Sequence, residues 1–208
     1  MKLSLGARYN LDALRPPDPG TGLPAPDAAA AKALHALRCW CLTGSGPGNT
    51  PWWRPLALPA VQTRLALTHL DAARANGFSP PQSLAAQLML DLDGSLLLLA
   101  CRTPTGRWAL RLKTKAQDMM WWRPRQPADA WDCGCVRDTA AGLLALARFV
   151  PRRATLLVVD GLTDATVATV ATLWLALQAR QHGFAHPVRV LVLGPTPSRT
   201  PGPQPLSQ

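Results

Sequence analysis

Asp160 closes the apolar run TLLVVD, Thr155 to Asp160. A carboxylate there stands where open α/β sheets place ligands and reacting groups, at the carboxyl end of a strand. A second stretch, CLTGSGPGNT from Cys41 to Thr50, spaces Gly44, Gly46 and Gly48 ahead of Thr50. Glycines let backbone N–H groups converge on phosphate oxygens, and a threonine hydroxyl suits magnesium. A third stretch is RWALRLKTK, in which Arg107, Arg111, Lys113 and Lys115 alternate with Trp108, Leu110 and Leu112. Read as a strand, the cations share one face at a spacing of about 6.8 Å, which can follow a phosphate backbone. Trp121, Trp122, Arg123 and Arg125 come directly after, and exposed tryptophan beside arginine offers a stacking surface for bases. Cys39 and Cys41, Cys133 and Cys135, and His182 with His186 have zinc-ligand chemistry. One residue between paired cysteines is poor zinc spacing, so buried thiols packing as small apolar groups are the better reading. No GxSxG elbow occurs, and His35 and His69 fall on expected helices as surface or satisfied core residues.

The composition narrows the chemistry further. The 208 residues carry 22 Lys and Arg against 12 acidic residues, a formal charge of +10, and every acid is Asp. Without a single Glu, any mechanism built on a glutamate base or on a pair of glutamates is excluded. A balance this basic favours an anionic partner, DNA or RNA or an acidic protein, or serves solubility alone. No segment approaches the roughly 18 apolar residues of a membrane span, so a membrane is not an expected partner. The start MKLSLGARYNLDALRPP lacks a signal peptide's apolar run, and five cysteines fit a reducing compartment, which makes the expected location cytoplasmic.

Several elements must position these groups. Residues 1–27 read as a Pro- and Gly-rich arm, 28–194 as a single α/β domain, and 195–208 as a disordered Pro-rich tail. A helix is expected over about Asp27 to Arg38, and a second over VQTRLALTHLDAARANG with Pro59 in its first turn. QLMLDLDGSLLLLACRTPTGRWALRLKTK reads as three short strands turning at Asp93-Gly94 and Thr103 to Gly106, an antiparallel β-meander in the middle of the chain. Asp138 then caps a helix ended by Pro151. Thr155 to Asp160 is apolar on both faces, like a strand covered on both sides. A helix from about Thr163 to His182, with Val167, Val170, Ala171, Trp174 and Leu177 on one face, and the strand PVRVLVLG complete a parallel βαβ unit near the C-terminus. The tetrapeptide WWRP occurs at Trp52 to Pro55 and again at Trp121 to Pro124, as two similar loops.

LTGSGPGNT resembles the LTGxxGxGKT loop of P-loop NTPases of the RecA, AAA and STAND kind, and TLLVVD is similar to their Walker B strand. The resemblance implies a P-loop-like sheet in which Gly44, Gly46, Gly48, Thr50 and Asp160 bind ATP or GTP, with Asp160 holding magnesium through water. It also implies a strand before Thr43 lying beside the 155–160 strand. Asn49 stands in place of the lysine, and Gly161 where many of these enzymes have the acid that activates water. A second register, WWRPLALPAVQTRLAL, matches WWxLLTGPxGxGKTRLAL, with Gln62-Thr63 replacing Lys-Thr. Because the lysine neutralises charge on the transferring phosphoryl group, its loss implies a degenerate Walker A and a weak or inactive NTPase that acts by binding. A divergent active ATP- or GTP-hydrolysing enzyme is the alternative, and a structural interaction domain the third reading.

Overall fold

The computed structural model describes residues 14–15, 28–44, 64–70, 81–119, 129–136, 142, 145–146, 148–151, 153–160 and 164–194. They form a mixed α/β fold around one five-stranded sheet. In chain order the elements are β1 (Leu14–Arg15), α1 (Ala28–Thr43), β2 (Leu65–Leu70), α2 (Pro81–Leu92), α3 (Ser95–Ala100), α4 (Pro104–Met119), β3 (Asp132–Val136), β4 (Thr155–Val159), α5 (Asp164–Arg180) and β5 (Val188–Leu193). The strand order is β1-β3-β4-β5-β2. β3, β4, β5 and β2 run parallel, and only β1 is antiparallel, against β3.

β4 and β5 sit in the interior of this sheet, and every residue of both is buried. Their two-sided apolar pattern is what helices on both faces demand. On one face α1 and α2 supply Ala30, Trp40, Leu84, Leu88 and Leu92 against Leu156, Val158 and Leu191. The periodic burial of Leu84, Ala85, Leu88, Met89 and Leu92 shows one helical stripe facing the sheet. On the other face Leu146, Phe149, Leu173, Leu177 and Phe184 cover Leu157, Val159, Val190 and Val192. Leu173 and Leu177 are the buried line of α5, with Trp174 beside them, while Ala171, expected on that face, is exposed.

Two expected elements are replaced. The helix expected over VQTRLALTHLDAARANG contains strand β2 instead, paired with β5 along its whole length, Leu65 with Val188 through Leu70 with Leu193. Leucine and alanine tolerate either state, and pairing with an interior strand overrides weak helical preference. The expected β-meander is three helices, α2 to α4. Residues 81–119 contain no Val and are rich in Leu and Ala, good helix formers in short runs whose periodicity is ambiguous. Of the two expected turns, Asp93-Gly94 is present, whereas Pro104 to Gly106 open α4. Gly94 turns with φ 77°, and the Ser95 amide donates to Asp93 Oδ1 at 2.7 Å, separating α2 from α3.

Part of the expected N-terminal arm joins the sheet through β1, with Leu14 buried. The approach is close enough that a Cβ on Gly134 would lie 2.8 Å from Leu14 Cβ and 3.0 Å from the Arg15 carbonyl oxygen, which is why β3 carries glycine there.

At the amino edge of the sheet, Val188 N donates to the Arg64 carbonyl, Thr155 N to Pro187 and Asp132 N to Ala154. The ends of α1 and α2 lie at this edge: the Trp131 amide bonds the Leu92 carbonyl, and Arg38 pairs with Asp91 at 2.9 Å. That ion pair is exposed enough to contribute at most about 1 kcal/mol. More consequential is Arg189, the second residue of β5 and fully buried, whose Nε donates to the Cys41 carbonyl at 2.8 Å. Burial pushes the Cys41 thiol up to about 12, opposed by the Arg189 charge. The unfolded chain therefore ionises Cys41 first, and folding stability falls as pH rises above 9. Between pH 9 and 10 the expected loss from this group is about 1 kcal/mol. Urea denaturation at the two pH values checks it, and Cys41→Ala flattens the difference.

Candidate functional site

The carboxyl edge of the sheet gathers one polar cluster. Asp160 follows β4 and is exposed, and its Oδ1 accepts a hydrogen bond from Gln82 Nε2 at 3.1 Å. Gln82 is the second residue of α2, so the start of that helix stands at Asp160, where the positive end of the dipole favours a carboxylate. In the neighbouring strand Cys135 pairs with Val158, two residues before Asp160, and across β1 with Arg15. Burial raises the Cys135 thiol above its ordinary range; the Arg15 charge and hydrogen bond oppose this, and the Asp160 charge adds to it. Arg15, Cys135, Asp160 and Gln82 thus form one constellation: a guanidinium, a half-buried thiol, a carboxylate and an amide. It can hold a polar ligand by hydrogen bonds. Among the described residues no group of three or more His, Cys, Asp or Glu is arranged to hold a metal ion.

Gly44 lies at the other end of the molecule. The residues before Thr43 form α1 rather than the expected strand, and Gly44 ends that helix with φ 73°, its amide bonding the Trp40 carbonyl at 2.7 Å. This is the left-handed residue that stops a helix, a conformation that favours glycine. α1 ends at the amino edge, where the Cys41 carbonyl meets Arg189, so Gly44 is not brought beside Asp160. Gly46, Gly48 and Thr50 lie outside the described residues, as do Gln62 and Thr63 of the second register and both WWRP segments.

The basic residues move from a strand to a helix, and their grouping changes with them. Arg107, Arg111 and Lys115 recur every four residues along α4, one line of the helix with a rise of about 6 Å between neighbours. Lys113, expected on the same face, lies about 160° around the helix from the centre of that line. Trp108 and Leu112 are 67% and 50% exposed, while Thr114 of α4 is buried. Arg107 Nε donates to the Cys101 carbonyl at 2.9 Å, tying the first turn of α4 to the end of α3. Trp121, Trp122, Arg123 and Arg125 lie outside the described residues.

All five cysteines are free thiols, Cys41 and Cys133 buried and Cys39 exposed. Cys39 Sγ lies 3.6 Å from His35 Nε2 on α1, and His69 is on β2 rather than a helix. Among the described residues no helix is long and apolar enough to cross a membrane. No protein-family model, curated protein or solved structure matches this chain.

Sequence reasoning missed Arg15, Gln82 and Arg189, and it named Cys135 without placing it beside Asp160. Only Arg189 carried a local signal, a charge inside the otherwise apolar PVRVLVLG. The other three depend on pairings between distant segments.

Proposed function

We propose that this chain is an NTPase-like α/β scaffold that acts by binding an anionic partner, nucleic acid or an acidic protein, without turning over nucleotide. The observation that carries the reading is the basic line of α4. α4 carries four cations against one acid, Asp118, and three of the cations lie along one side of the helix. Such an arm attracts anions whatever their sequence. The scaffold half of the reading rests on a four-stranded parallel core with helices on both faces and an aspartate at the carboxyl end of interior β4. In sheets of this kind ligands bind outside those carboxyl ends. The absence of turnover rests on Gly44 ending α1 at the amino edge of the sheet, away from Asp160, and on Gly161 after Asp160.

Two measurements test it. Purified protein is expected to hydrolyse neither ATP nor GTP above background, with Asp160→Asn changing nothing; magnesium-dependent hydrolysis abolished by Asp160→Asn would establish the active enzyme instead. A fluorescent single-stranded oligonucleotide, used as a polyanion probe, is expected to bind at about 50 mM salt and to be released as salt rises. Absence of any salt-dependent binding to that probe would leave the basic line of α4 a solvated helix face.

A further inference from the structure

His35 and Cys39 stand four residues apart on α1, and both are exposed. Residues at that spacing lie one above the other on a helix, and helical side chains lean toward the amino end. The Cys39 thiol therefore reaches back to the imidazole, with Sγ 3.6 Å from Nε2. As a hydrogen bond the contact stabilises little, because a thiol is a weak donor and both groups face water. As a pair of metal ligands the separation is informative. Bonds of about 2.3 Å to sulfur and about 2.0–2.1 Å to nitrogen, meeting at a tetrahedral angle, hold the two atoms about 3.5–3.6 Å apart. The right angle of an octahedral site would bring them to about 3.1 Å.

We propose that His35 and Cys39 form a bidentate site for a zinc-like divalent cation, held by the imidazole Nε2 and the Cys39 thiolate. The inference stands apart from the anionic-partner reading, since the pair belongs neither to α4 nor to the Asp160 cluster. Thiolate and imidazole select a borderline-soft metal over magnesium or calcium, which take oxygen ligands. The bite is already formed between two neighbouring turns of one helix, so binding needs no movement of the backbone. Among the described residues no third His, Cys, Asp or Glu joins the pair, so water completes the coordination and the site stays open. Binding releases the thiol proton to solvent, so affinity rises with pH. Of the five cysteines only Cys39 is exposed, which makes the site readable through that one thiol.

The test is alkylation of the reduced full chain, read by mass spectrometry of the Cys39 peptide, with Zn²⁺ or Mg²⁺ as the probe. Saturating Zn²⁺ is expected to slow alkylation of Cys39 at least about tenfold, because a metal-bound thiolate is no longer the free nucleophile. Mg²⁺ is expected to leave the rate unchanged. His35→Ala keeps the thiol but removes the chelate, and is expected to raise the Zn²⁺ concentration for half-protection at least about tenfold. Co²⁺ gives a second readout, a thiolate-to-cobalt charge-transfer band that Zn²⁺ abolishes, that Cys39→Ser lacks and that His35→Ala weakens. Both side chains are exposed, so the variants are expected to melt with the wild type. Equal protection of Cys39 in wild type and His35→Ala would overturn the proposal, since a lone thiol would then hold the metal. No protection by Zn²⁺ would also overturn it, as would a cobalt band that survives Cys39→Ser.

Discussion

Arg189→Ala is expected to destabilise the fold by about 3–5 kcal/mol, the largest effect of any single substitution among the described polar residues. Arg189 lies on β5 between β4 and β2, wholly buried beneath the end of α1. The last-turn carbonyls of a helix lack partners within the helix and form the negative end of its dipole. Arg189 supplies a donor there, Nε to the Cys41 carbonyl at 2.8 Å, with Nη1 on its neighbour Val188 at 3.1 Å. Burial lowers the guanidinium to about 10, opposed by Cys41, and this still leaves it charged at neutral pH. Alanine therefore opens a cavity at the centre of the sheet and strands a buried carbonyl at once. Arg189→Met refills the space and removes the buried charge but not the orphaned carbonyl, so it is expected to recover roughly half of the loss. Urea denaturation of the three proteins decides. An alanine variant within about 1 kcal/mol of wild type would mean that α1 does not depend on this contact.

The same residue shows what kind of information the sequence held. β4, α5 and β5 were legible because each signal is local: strands of five and six residues that are aliphatic but for Thr155 and Arg189, and a long helical run stopped by Gly183. An arginine inside the β5 run announced that something buried must receive its hydrogen bonds. Its acceptor lies 148 residues earlier, and no pattern within PVRVLVLG points to Cys41. β2 was misread for the complementary reason. LALTHL has little preference of its own, and its state is decided by the β5 edge. The stretch from α2 to α4 failed differently, because the information was there and was outweighed. Alternation over RWALRLKTK suggested a strand, while the absence of Val from 81 to 119 favoured helix. For the candidate site, Asp160 was visible as a strand-ending carboxylate, whereas Gln82 and Cys135 reach it only once the sheet has formed.

The second large effect follows from that misreading, since strand and helix divide the same cations differently. On a strand, Arg111, Lys113 and Lys115 share one face, and neutralising any of them costs equally. On α4 the line is Arg107, Arg111 and Lys115, with Lys113 turned away. Three phosphate contacts give log affinity for single-stranded nucleic acid falling with log salt at a slope of about −2. Arg111→Ser with Lys115→Ser is expected to flatten that slope by about 1.4 units and to weaken binding near 50 mM salt by roughly 10–100-fold. All sequences should be affected alike, because phosphate contacts carry no base information. Lys113→Ser is expected to change the slope by less than about 0.5. Lys113 and Lys115 are exposed and Arg111 is half-buried, so matched melting curves separate lost binding from lost stability. A Lys113→Ser effect as large as that of Lys115→Ser would mean that the polyanion does not lie along the Arg107–Lys115 line. It would then have to wrap the helix or meet the chain elsewhere.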